Sequence, residues 1–150
     1  MTITNHLFQL TFPDSDWKET TTYTFEGPND GGVQHNLVLA IMDDYPKIVE
    51  LKDWAKAQCD ISTHLLPGFE YVEEKEGVLP SGIKTYEIIY KYIPAEGVVL
   101  FQKQWYMFIN EKAYIFTSTF NKKTLNTIAN DVVRIVASLR VGKAWEEEEE

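Results

Sequence analysis

One cysteine, Cys59, stands among 150 residues. No disulfide can close within the chain, so stability must come from a packed core, and a reducing, cytoplasmic setting is the expected one. No apolar run approaches the roughly 18 residues that a membrane span needs. Met1 to Phe12 has neither the basic start nor the apolar stretch of a secretory signal. Positive charge is also scarce, with 14 Lys and Arg against 23 Asp and Glu and a net charge of −9. That sign repels a phosphate backbone and an anionic lipid surface, so neither nucleic acid nor stable membrane insertion is expected. Five of those acids are the unbroken run Glu146 to Glu150, so the body of the chain is only mildly acidic. We read residues 1–142 as one domain and 143–150 as an acidic, disordered tail.

Catalytic signatures are missing as well. The chain holds no GxGxxG, P-loop or GxSxG. Gly31–Gly32 is not followed by a helical pattern and so forms no phosphate cradle. His6, His35 and His64 lack metal-ligand spacing to one another or to Cys59. Each histidine reads as a surface or capping residue. Cys59 falls on an apolar helical stripe, which suits a small buried hydrophobe better than a nucleophile. Asp43–Asp44 reads as a solvated turn, and Glu73, Glu74 and Glu76 as solubility charges. The sequence therefore offers no catalytic residue, no metal site and no cofactor, and points to a protein that binds rather than catalyses.

What the chain does have is aromatic strands: eight Tyr, eight Phe and four Trp, 13% of the residues. Strands are expected at His6–Phe12, Thr20–Glu26 and Gln34–Met42, the last two joined by the turn Gly27–Gly32. Asp43 to Pro46 breaks the pattern. From Ile48 the period becomes helical, through Leu51, Trp54, Ala55, Cys59 and Leu65 or Leu66, until Pro67–Gly68 stops it. Further strands follow at Phe69–Glu74, Ile83–Ile93, Val98–Ile109 and Ala113–Phe120, the last three as a meander of hairpins. A final helix, Lys122–Leu139, is expected with Asn121 as its cap. The order β-β-β-α-β-β-β-β-α implies an α+β fold, an antiparallel sheet with both helices packed on one face.

The strands are apolar on both faces. Tyr86, Ile88, Tyr90 and Tyr92 oppose Thr85, Glu87, Ile89 and Lys91. Leu100, Gln102, Gln104, Tyr106 and Phe108 oppose Phe101, Lys103, Trp105, Met107 and Ile109. Tyr114, Phe116, Ser118 and Phe120 oppose Ala113, Ile115, Thr117 and Thr119. Helices on one face would leave the other to the N-terminal strands or to an outside partner. The candidate binding residues on this reading are Tyr90, Leu100, Gln102, Gln104, Tyr106, Phe108, Tyr114 and Phe116.

Several short phrases carry a family likeness. Leu65–Phe69 reads LLPGF at the end of the first helix. An aromatic strand with Tyr86 and Tyr90 follows, then Gln102-x-Gln104, the threonine-rich Ala113–Phe120 and a closing helix. Phe12–Pro13 and Trp17 precede a hairpin. Nearly the whole chain thereby resembles the DcrB-like family of PsbP-like fold, and within it the cytoplasmic EagR chaperones of type VI secretion. DcrB lipoproteins carry a lipobox that is missing here, which favours the cytoplasmic branch. The resemblance implies a homodimer that cradles an apolar helical segment of a secreted effector before export. Alternatives are a PsbP-like accessory module in a larger assembly and a small-molecule binding protein using the aromatic groove.

Overall fold

The computed structural model describes residues 1–4, 6–14, 16–17, 20–30, 33–43 and 48–142. The acidic tail, Gly31–Gly32 of the expected turn and Asp44–Pro46 of the expected break lie outside them.

Two short strands, β1 (Thr2–Thr4) and β2 (Gln9–Thr11), pair only with each other, Ile3 opposite Leu10. The single strand expected at His6–Phe12 is thus a separate hairpin. It is not a second layer, since no residue of β1 or β2 joins either apolar core.

The main sheet has six strands: β3 (Thr21–Asp30), β4 (Val33–Met42), β5 (Glu70–Val78), β6 (Lys84–Ala95), β7 (Val98–Ile109) and β8 (Lys112–Phe120). Their order is β3-β4-β8-β7-β6-β5 and every neighbouring pair is antiparallel. Val, Ile, Thr and aromatic side chains fill these strands because they pack on a pleated surface without losing further rotamer freedom. The β7–β8 turn places Asn110 and Glu111 at positive φ, the handedness a two-residue hairpin requires. Between Glu26 and Asn29 the β3–β4 register slips, with Gly27 and Pro28 in the bulge.

Helix α1 (Leu51–Thr63) buries Trp54, Ala55, Cys59 and Thr63, one stripe at helical spacing. It begins later than expected. Glu50 is extended, so Ile48 lies ahead of the helix and is exposed. The stop also comes earlier than expected: the helix ends at Thr63, Leu65 is exposed rather than on the buried stripe, and the chain then turns through Gly68 at φ 66, where the Cβ of any substituent would lie 3.0 Å from Ile93. The last helical segment is broken. Asn121 and Thr124 bond reciprocally, the Asn121 N–H to Thr124 Oγ1 at 2.9 Å and the Thr124 N–H to Asn121 Oδ1 at 2.8 Å. This pair stands at the start of a 3₁₀ turn, Thr124–Asn126, rather than of an α-helix. Thr127 then leaves helical geometry, and α2 runs over Ile128–Ala137.

The α+β class, the antiparallel sheet and the two helices match expectation; the placement of the helices on a single face does not. Trp54, Ala55 and Cys59 of α1 pack on Tyr86, Ile88, Tyr90 and Tyr106. Val132 and Val136 of α2 pack on Leu37, Leu39, Trp105, Met107, Phe116 and Phe120. Tyr106 and Met107 are adjacent in one strand, so they project to opposite sides. Each helix covers its own face, which is why both faces of β7 are apolar.

Candidate functional site

The register sorts every strand residue by face. Tyr86 lies opposite Tyr106, and Tyr106 opposite Ile115. Counting by twos, the α1 face carries Leu100, Gln102, Gln104, Tyr106 and Phe108 on β7. It carries Ala113, Ile115, Thr117 and Thr119 on β8, and Asn36, Val38, Ala40 and Met42 on β4. Thr22 and Thr24 of edge strand β3 complete it.

Helix α1 contacts chiefly β6 and β7. Its side chains seal Tyr86, Ile88, Tyr90 and Tyr106, while Phe108, Ile115 and Met42 pack at the margin. Beyond that margin the face continues over β8, β4 and β3, and no helix among the described residues lies on it. The open floor consists of Gln102, Thr117, Thr119, Val38 and Ala40, all half-buried, with Thr22 and Thr24 exposed at its edge. These side chains are short or uncharged, so a helix backbone can approach closely.

Two hydrogen-bonded chains run from under α1 onto this floor. The Tyr90 hydroxyl donates to Gln102 Oε1, and Gln102 Nε2 donates to Thr119 Oγ1 at 3.1 Å. The Tyr106 hydroxyl donates to Gln104 Oε1, and Gln104 Nε2 donates to Thr117 Oγ1 at 3.2 Å. Burial pushes the Tyr90 and Tyr106 phenols well above the ordinary tyrosine value, with nearby ionisable groups adding to it. They are donors, neutral at physiological pH.

The half of the opposite face away from α2 has a different chemistry. Lys103 sits 3.1 Å from Glu87 and 4.8 Å from the Trp105 ring, and Lys91 pairs with Glu70 at 3.2 Å. Paired charges tolerate water; the Thr, Val and Ala floor on the other side has none.

The eight candidate binding residues therefore do not form one surface. Tyr90, Leu100, Gln102, Gln104, Tyr106 and Phe108 share the α1 face. Tyr114 and Phe116 project to the α2 face, because β8 pairs Ile115 with Tyr106 and Phe116 with Trp105. Phe116, Tyr106, Tyr90 and Gln104 are buried, the first in the α2 core. Gln102 and Gln104 are also not free amides, since each is engaged by a tyrosine and a threonine. Residues the sequence reading passed over are Thr117, Thr119, Val38 and Ala40. Their signal was the alternation within Gln34–Met42 and Ala113–Phe120, legible once the pairing of those two strands is known.

Chemistry elsewhere is sparse. No group of three or more His, Cys, Asp or Glu among the described residues is arranged to hold a metal ion. Cys59 is fully buried, and desolvation pushes its thiol up, the wrong direction for a nucleophile. His64 is exposed, with Nδ1 2.8 Å from the Ile61 carbonyl at the end of α1, a capping role as expected. His35 is not the surface residue expected. It alternates with Leu37 and Leu39 on the α2 face and is buried. No helix among the described residues is long and apolar enough to cross a membrane.

No family model matches the chain, and no curated protein matches it in sequence. Solved structures do share its fold. PA94 of Pseudomonas aeruginosa, a protein of unknown function, superimposes with a TM-score of 0.71 at 18% identity, covering 95% of this chain and 96% of PA94. The cyanobacterial PsbP, CyanoP, of Synechocystis gives 0.57 at 11% identity over 92% of this chain and all of its own. LpqN of Mycobacterium tuberculosis, involved in cell envelope biogenesis, gives 0.50 at 13% over 75% of this chain and 78% of LpqN. At these identities the likeness is one of fold, and the fold is PsbP-like.

Proposed function

We propose that the chain is a non-catalytic binding protein that shields an apolar helical segment of a client protein. The observation carrying this reading is the floor of Thr, Val and Ala side chains on β3, β4 and β8. It is half a sheet face beside α1 on which no helix among the described residues lies, uncharged where its counterpart on the other face is salt-bridged. A helix laid there meets small side chains below and α1 alongside. Tyr90, Tyr106, Gln102 and Gln104 act as positioning residues, holding the threonine hydroxyls in register.

The PsbP-like fold is compatible with a binding or accessory role. In the finer reading the client is a secreted effector held before type VI export, the setting is cytoplasmic and the working form is a homodimer. That reading draws on the resemblance of LLPGF and the Gln102–Gln104 pair to the EagR chaperones, and on the floor itself.

Co-purification tests it. The chain is co-expressed with soluble fusions carrying single apolar segments of about 20 residues, the length that spans a bilayer. Wild type is expected to keep such fusions soluble and to elute with them. Ala40→Trp or Thr117→Trp fills the floor from half-buried positions that face it and is expected to abolish capture with Tm unchanged. Ile89→Trp, on the salt-bridged half of the other face, is expected to leave capture intact. Equal capture by wild type and Ala40→Trp would overturn the site. Capture of folded partners but never of the apolar segments would favour an accessory module.

A further inference from the structure

A second candidate site lies on the other side of the sheet. Between α2 and the β3–β4 pair, a cavity of about 380 Å³ opens, walled by Phe25, Leu37, Ile128, Val132 and Ile135. His35 also lines it. The histidine is 2% exposed, and neither Nδ1 nor Nε2 has a hydrogen-bond partner among the described residues. Buried polar atoms are nearly always paired, so an unpaired imidazole at an apolar cavity marks a place where something else supplies the partner.

The surroundings narrow the chemistry. Phe25 and Ile135 are 55% and 54% exposed, large apolar surfaces at the cavity's edge. The carboxylates lining it are Glu26 and Asp131, and no Lys or Arg among the described residues lines it. An anionic head is therefore disfavoured. The ring nitrogens of an imidazole can donate or accept, and a hydroxyl can answer either. The volume suits roughly a dozen heavy atoms at about the 30 Å³ that one water takes in the liquid. Entry has a structural route. The bulge at Gly27–Pro28 faces His35 across the β3–β4 pair and also lines the cavity, and the ladder is interrupted there. The ring nitrogens are closed to water, so a ligand reaches them when this bulge or the Ile135 side chain shifts.

We propose that this cavity binds a small uncharged amphiphile, an alcohol or phenol with an apolar body, whose hydroxyl pairs with the His35 ring. The site is on the opposite face from the helix-binding floor and goes beyond that reading.

The probe is 1-octanol, followed by protein NMR with the His35 ring resonances as reporter and sodium octanoate as the anionic control. Titration of 1-octanol is expected to shift the His35 ring signals saturably, and octanoate to bind at least tenfold more weakly. Ile135→Trp, at an exposed position, is expected to plug the cavity and abolish binding with the fold intact. His35→Phe is expected to weaken binding at least tenfold. Three results would overturn the proposal: octanoate binding as tightly as octanol, Ile135→Trp binding unimpaired, or octanol shifting other residues while His35 stays still. Ala40→Trp is expected to bind octanol normally, so failure here and failure of the helix-binding reading are separately visible.

Discussion

Tyr106 is 1% exposed and its hydroxyl donates a hydrogen bond to Oε1 of Gln104, itself buried. Removing the hydroxyl strands the Gln104 carbonyl oxygen, so Tyr106→Phe is expected to cost about 1 kcal/mol in urea unfolding. The same burial makes a prediction about pH. Tyr90 and Tyr106 have phenols raised in the fold above the ordinary value of about 10 that they regain when unfolded. A raised acid binds its proton more tightly when folded, so its contribution is complete below about pH 10 and is lost as pH climbs toward the folded value. Each tyrosine should steepen the alkaline loss by about 1.4 kcal/mol per pH unit in that window. Unfolding free energies measured between about pH 9 and 11 check this. Tyr106→Phe is expected to flatten the slope, and an identical slope in wild type and variant would refute the coupling. His35 is the reverse case at this scale. Its two unpaired nitrogens cost about 1–3 kcal/mol each by ordinary desolvation, a local conflict of the sort that proteins tolerate at binding sites.

At the scale of elements, the sheet carries two separate cores back to back. Ile88 anchors the α1 side and Met107 the α2 side, both fully buried. Ile88→Ala and Met107→Ala are each expected to lose about 2–5 kcal/mol. Near-UV circular dichroism distinguishes them. Ile88→Ala is expected to disturb the Trp54–Tyr106 edge contact at 5.9 Å between ring centroids, and Met107→Ala the environment of Trp105. An identical spectral change in both would argue against two cores. Much of this was legible in sequence, because period-two and period-3.6 patterns are local. Val98–Ile109 matches to the residue, whereas the helix expected to run to Pro67–Gly68 already ends at Thr63. The helix faces were not legible. Which side of β7 meets which helix depends on the pairing of Tyr106 with Ile115 and on the route of α2, both long-range facts. The same gap put Phe116 among the binding residues, since nothing local to β8 says that it faces Val132 and Val136. The broken last helix escaped for a different reason. The Asn121–Thr124 exchange looks like an ordinary helix cap in sequence, and only Thr127 shows that the first turn ends.

For the whole molecule, the two sheet edges decide how copies of the chain can meet. Edge strand β5 carries Glu70, Glu73, Glu74, Lys75 and Glu76, charges that oppose pairing with another strand. Edge strand β3 has no charge from Thr21 to Phe25. Tyr23 and Phe25 stand about half exposed on one of its faces and Thr22 and Thr24 exposed on the other. This uncharged stretch of edge is where a second copy would extend the sheet. Antiparallel pairing of β3 with its symmetry mate keeps the two sheets face to face in sense, so the two uncovered floors would lie side by side as one wider cradle. Sedimentation velocity is expected to show a dimer of the wild-type chain. Thr24→Lys places an ammonium on that edge at an exposed position, so it is expected to give monomer with Tm within a degree or two, since exposed substitutions usually shift stability by less than about 0.5 kcal/mol. Glu74→Lys on β5 is expected to leave the dimer intact. A dimer that survives Thr24→Lys would move the interface elsewhere, and a wild type that stays monomeric at high concentration would leave each floor to hold its helix alone.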